Sequence, residues 1–331
     1  MKWRRHISSI GLLLVIALFG ISAHAGAPKS APPAKKVEQA DWLAKCKAWN
    51  GKVMTIQTAN LVVEYPDFAD KALAKRHADF LQKAYEKYRQ LFAFGAEDPF
   101  HGKKIQFHVL PAWSLGETAG GTDIRLGIGT MASGLAYPPD RIYFHEMAHA
   151  FERAQSDHGR YYLYQFIGGM NEAVAMLFEC YISTQLASIA ESPNLKQACE
   201  DHLAGNMARL VKSPEATLAS YESHKVNPYA LDWGRHPHQK PGEPFKSGEW
   251  YFLQMLFRVT HDYGWGVWSK LFAETAKSGQ GPVAKELFWN QTHAHQEDPK
   301  FKQAVAEFVE ALGKACGHDL RPMFRKWNFG F

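Results

Sequence analysis

The chain has 331 residues, with 38 Lys and Arg against 33 Asp and Glu, a formal charge of +5, and 46% of its residues are hydrophobic. That apolar content excludes a disordered chain, and without a long basic run there is no electrostatic footprint for a nucleic acid. The four cysteines, Cys46, Cys180, Cys199 and Cys316, form no C-x-x-C pair, which excludes a zinc knuckle and a thioredoxin-like redox centre.

Residues 1–25 begin with Lys2, Arg4 and Arg5, continue as a 12-residue apolar run over 10–21, and end in Ala23-His24-Ala25. A basic region, a short hydrophobic region and an A-x-A site in that order predict a signal peptide cleaved near Ala25. The run is shorter than the roughly 20 apolar residues a spanning helix needs, so the mature chain is expected to be exported, with no membrane span. It would keep 306 residues and a charge of +2, because three positives leave with the signal. An oxidising compartment permits disulfides. A Cys180–Cys199 bridge, with 18 residues between, would join consecutive helices; the alternative is four buried free thiols.

Residues 26–38 are rich in Pro, Ala and Lys and read as a linker. Residues 39–331 follow as the folded part, an α+β lobe over 39–156 and a mainly helical lobe over 157–331. Residues 53–65 are β-branched and bounded by Pro66, which predicts one or two strands. Residues 67–94 carry Leu73, His77, Phe80, Leu81, Ala84, Tyr88 and Leu91 at helical spacing, which predicts a long amphipathic helix. Residues 103–110 read as another strand stopped by Pro111, and the glycine-rich segment 122–126 as an edge strand bordering the cleft. Beyond residue 139 the periodicity is helical over about 140–155, 171–190, 194–212, 248–263, 267–278 and 299–314, interrupted by a His- and Pro-rich loop over 226–244. The fold class is therefore α+β: a small mixed sheet with long helices, then a helical lobe.

Within 140–155 lies His145-Glu146-Met147-Ala148-His149. Histidines four apart on a helix project from one face and can share a metal ion. Zinc suits neutral imidazole nitrogens, and an open fourth position leaves room for a water whose pKa falls towards neutrality. Glu146 stands where its carboxylate can take that water's proton and pass it to a leaving amine. Pro138-Pro139-Asp140 supplies the helix start.

Catalytic zinc needs a third protein ligand. A metzincin arrangement would require glycine and histidine at positions occupied by Glu152 and Gln155, so it fails. Glu152 shares the helix face but sits awkwardly for a tetrahedral site, and His158 would need a turn. Glu172 is the best candidate, because it opens a new helix 23 residues past His149.

These residues resemble the gluzincins, the thermolysin-like and aminopeptidase-like zinc peptidases, over roughly residues 59–271. Asn171-Glu172-Ala173 is similar to the start of their glutamate helix, and Pro244-Phe245-Lys246-Ser247-Gly248 to their P-Y-x-x-G stretch. Residues 263–271 resemble, more weakly, the tail of the enhancin-like, mucin-cleaving branch. The resemblance implies a zincin-like domain with a Zn2+ site of His145, His149 and Glu172 in a cleft between the lobes, and Glu146 as general base. It also implies an extended polypeptide or glycoprotein substrate. Two positions depart from the pattern. Phe245 replaces a tyrosine that donates to the oxyanion, and Met176 replaces an aspartate that supports a histidine ligand. A substitute donor would have to come from Tyr229, His236 or His238 in the 226–244 loop. Without one, the chain is expected to be a zinc-binding pseudoenzyme holding polypeptide or glycan in the same cleft. A glycan-binding module built on Trp233, Trp250, Trp265, Trp268 and Trp289 is the remaining alternative.

Overall fold

A computed structural model describes residues 34–113, 116–119, 121–131, 135, 139–160, 170–188, 248–279 and 299–330. A first helix, α1 (Ala34–Ala48), leads into two antiparallel strands, β1 (Val53–Gln57) and β2 (Leu61–Pro66). Helix α2 (Lys71–Leu91) begins where the Asp70 carboxylate accepts the Leu73 amide hydrogen at 2.8 Å. Satisfying an orphan donor of the first turn in this way contributes about 1 kcal/mol. The helix carries the chain across to β3 (Ile105–Leu110), which lies parallel to β2. A hairpin follows, β4 (Gly116–Ala119) and β5 (Asp123–Gly127), and then a 3₁₀ turn over Ile128–Met131.

The sheet is mixed and five-stranded, in the order β1-β2-β3-β5-β4. This corrects one expectation. The segment around 122–126 is β5, held between β3 and β4, and the edge belongs to the shorter β4. The reversal comes at Gly121, whose φ of +85° suits a residue without Cβ. The chain therefore pairs β5 into the sheet interior and leaves Gly116–Ala119 outside.

Alternation along the strands sends Leu61, Val63, Tyr65, Ile105, Phe107, Val109, Ile124 and Leu126 into the core. Helix α2 lays Ala74, Phe80, Leu81, Tyr85 and Tyr88 against that interior. The remaining described helices are α3 (Arg141–Asp157), α4 (Met170–Ser188), α5 (Gly248–Tyr263), α6 (Gly266–Ser278), α7 (Pro299–Cys316) and α8 (Arg321–Lys326). Helix α4 packs against both α3 and α5, and α6 against α7. The α+β class holds, with eight α-helices among the described residues. No described helix is long and apolar enough to cross a membrane.

Several expectations fall outside the described residues: the signal over 1–25, the helix over 194–212, the 226–244 loop with Tyr229, His236 and His238, and Phe245. Trp233, Trp289 and Cys199 lie there too. Of the remaining tryptophans, Trp268 is fully buried and donates its indole hydrogen to Thr260 Oγ1 at 2.9 Å, and Trp265 packs on Tyr181. Trp268 is thus a core residue, and Trp265 is partly buried against the core. Cys46 and Cys316 are free thiols, and Cys180 is buried on α4.

Candidate metal centre

Helix α3 starts as its sequence directs: the Asp140 side chain accepts the Ile142 amide hydrogen at 3.0 Å. From there a 3.6-residue period divides it. Phe144, Met147, Ala148, Phe151 and Ala154 are buried in the core. Arg141, His145, His149 and Glu152 form a second stripe facing α4.

The sequence-predicted ligands meet across the α3–α4 contact. His145 Nε2 lies 3.2 Å from His149 Nε2 and 3.0 Å from Glu172 Oε2, while His149 Nε2 lies 3.4 Å from Glu172 Oε1. A tetrahedral zinc with ligands at about 2.0–2.1 Å separates them by about 3.3–3.4 Å, so this triangle fits such an ion with little movement. Glu172 stands in the first turn of α4, where the helix dipole favours its charge. His145, His149 and Glu172 are the one group of three or more His, Cys, Asp and Glu side chains among the described residues close enough to hold a metal ion. Among the weighed alternatives, His158 is held elsewhere, with Nε2 at 3.2 Å from the Pro99 carbonyl and its ring stacked on His101.

Two further carboxylates reach the far nitrogens of the same rings. Glu179 Oε2 lies 3.3 Å from His145 Nδ1, and Glu152 Oε2 lies 3.3 Å from His149 Nδ1. Glu152 is thus a partner of His149 and lies outside the converging triad. Burial opposes charging His145, but its bonds to Glu172 and Glu179 outweigh that and push it up to about 9. His149 is raised well above the usual range, the attraction of Glu172 and Glu152 exceeding the cost of burial. Burial would raise Glu172, yet the two histidines hold it far below the usual carboxylate range. Glu152 is raised because burial outweighs the pull of His149.

Glu146, 4% exposed, points towards the sheet edge. The Thr118 hydroxyl on β4 lies 2.9 Å from both the Glu146 Oε2 and its backbone carbonyl. A hydroxyl has one hydrogen to give, so it serves these two acceptors in turn. Beside it, a Cβ at Gly116 would stand 2.8 Å from Ile142 Cδ1 and 3.0 Å from Glu146 Oε1. Glycine is what lets the edge strand approach Glu146 this closely.

Sequence reasoning missed Glu179 and Thr118. Glu179 did leave a trace. It is the carboxylate seven residues past Glu172, two helical turns on, within the apolar run from Ala173 to Ile182. Thr118 left none, since its role depends on which strand forms the edge.

The chain matches no family profile and no curated protein. Among solved structures it is similar to a functionally unknown conserved protein from Bacillus anthracis str. Ames, at 11% identity and a TM-score of 0.48. The match covers 88% of this chain and 52% of that one, so the chain spans about half the length of that structure. At that likeness the comparison carries no argument about fold or function.

Proposed function

We propose that the chain is an exported zinc-dependent peptidase of the gluzincin type, hydrolysing peptide bonds of an extracytoplasmic protein or glycoprotein. The observation that supports this most is the convergence of His145, His149 and Glu172 within 3.4 Å of one another, on the helix that carries Glu146. Those three side chains would hold the ion. When bound, zinc supplies Lewis acidity and brings a water's pKa towards neutrality. Glu146 takes the proton of the attacking water and passes it to the departing amine. Thr118 keeps the Glu146 carboxylate aimed from the edge strand. The open side of β4 accepts an extended substrate segment through main-chain hydrogen bonds, so side-chain pockets supply selectivity. The reading calls for an oxyanion donor, and Tyr229, His236 and His238, which lie outside the described residues, are its candidates. Export follows from the signal-like residues 1–25.

A second reading is favoured by one residue. Phe245 has no donor where the resembled family has a tyrosine, and losing an oxyanion donor costs ~10²–10³ in rate. The cleft would then hold polypeptide or glycan without cutting it. A peptide-library digest with zinc-loaded mature protein separates the two, with Glu146→Gln as the matched control. Cleavage that disappears in Glu146→Gln while zinc content stays at one per chain supports the peptidase. Full zinc occupancy with no cleavage favours the pseudoenzyme, and no zinc binding overturns both.

A further inference from the structure

We infer that Glu179 is a positioning residue for the metal site: clamped by Arg141, it fixes the tautomer and direction of His145 so that Nε2 is offered to a divalent transition-metal ion. The inference rests on the metal-dependent reading above.

Glu179 is 2% exposed and sits between Phe178 and Cys180, both buried, on an otherwise apolar stretch of α4. Taking a carboxylate out of water costs several kcal/mol unless it finds good partners. Here both oxygens are used, Oε2 by His145 Nδ1 and Oε1 by Arg141 Nη1, each at 3.3 Å. Arg141 and His145 are four residues apart on α3, so the two partners reach Glu179 from one helix face. Glu179 and Glu172 are seven apart on α4, so that helix in turn grips both nitrogens of one imidazole.

The chemistry follows from that grip. Both ring nitrogens face carboxylates, but Glu172 and Nε2 converge with His149 on the position an ion would take; with an ion held there Nε2 gives its lone pair to it, and Nδ1 keeps the hydrogen that Glu179 accepts. The carboxylate also makes the imidazole a stronger donor to a metal, and partners of this kind are typically worth ~10–100-fold in metal affinity. Glu152 repeats the arrangement on His149, with its Oε1 lacking a hydrogen-bond partner among the described residues. The two carboxylates differ in one respect: Glu179 is tied to a guanidinium that both neutralises it and limits its movement. A plain Arg141–Glu179 ion pair would also account for the burial, but it gives no reason for the second oxygen to meet the outer nitrogen of a ligand.

The test is zinc affinity by chelator competition, using the metal alone on the full mature chain. Glu179→Gln keeps shape and removes charge, and it is expected to weaken zinc binding ~10–100-fold while the metal-free melting temperature moves little. Glu97→Gln serves as control, because Glu97 pairs with Arg160 away from the site; its affinity should match the parent's. If Glu179→Gln binds zinc within twofold of the parent, this inference is overturned and the peptidase reading stands. A parent that binds no zinc sinks both. Should Glu179→Gln not fold, ¹⁵N imidazole shifts of the zinc-loaded parent decide. Hydrogen on Nδ1 of His145 supports the inference, and hydrogen on Nε2 overturns it.

Discussion

On one side of α3, Phe151 lies among Tyr85, Tyr88, Phe92 and Phe100 with ring centroids 5.1–5.7 Å apart; on the other, two histidines lie among three carboxylates. The first surface is energetically self-sufficient, since burying each large side chain contributes about 1.5–3 kcal/mol. The second concentrates charges that are costly to bury, and that cost is tolerated where geometry at a functional site requires it. A single helix thus carries a face that stabilises the fold and a face that is supported by it. The polar face has geometry the apolar face lacks: every ring nitrogen of His145 and His149 has a carboxylate oxygen within 3.4 Å.

Changes on the two faces should separate stability from chemistry. The largest effect is expected from Glu146→Gln, which should lower turnover ~10²–10⁴-fold, the range for a lost general base, at nearly unchanged stability and zinc content. Loss of zinc in that variant would make Glu146 a ligand instead. Phe151→Ala should do the converse, costing about 3–5 kcal/mol of unfolding free energy in a denaturant titration. Zinc affinity of its folded fraction should be unchanged; a large drop would mean that the two faces are mechanically coupled.

A smaller effect concerns His77, which packs edge-on against Tyr143 and holds the Tyr65 hydroxyl at 2.9 Å. Burial lowers His77 from 6.5 to about 3, so the folded state refuses a proton that the unfolded chain accepts. Stability should fall as pH drops below 6.5, by about 1.4 kcal/mol per unit, and level off near 3. The His77→Gln chain lacks this slope, so the stability difference between the two should narrow by about 2 kcal/mol between pH 6.5 and 5. A constant difference would contradict a neutral buried imidazole. An effect of similar size is expected at the edge strand. Gly116→Ala adds a Cβ against Ile142 and Glu146, and overpacking of this kind costs about 1–3 kcal/mol. Turnover should fall with little change in KM, while an unchanged kcat would show that β4 does not hold the base.

How much of this was legible in the sequence follows the same division. The spacing of His145 and His149, the Asp140 start and the apolar stripe of α3 are local patterns, and the structure bears them out. Glu172 was reachable because the candidate third ligand stands at the start of the next described helix. The roles of Glu179, Glu152 and Thr118 depend on how α4 and β4 dock on α3. That docking sets distances the local sequence does not encode. The edge strand was misassigned for a related reason. Both hairpin arms carry glycine, and only strand pairing decides which one is left outside. Met176 marks the same point. It stands where the resembled family has a supporting aspartate, and Glu179, three residues further along α4, meets His145 instead.

The proposed peptidase depends on His145, His149 and Glu172 holding a zinc ion. Zinc K-edge X-ray absorption on the purified mature protein, paired with metal quantification, tests it most directly. One zinc per chain is expected, with two imidazole nitrogens and carboxylate oxygen at about 2.0–2.2 Å, and that signal should be lost in His149→Ala. A sulfur-containing coordination sphere, a spectrum indifferent to His149→Ala, or protein that takes up no zinc would contradict it.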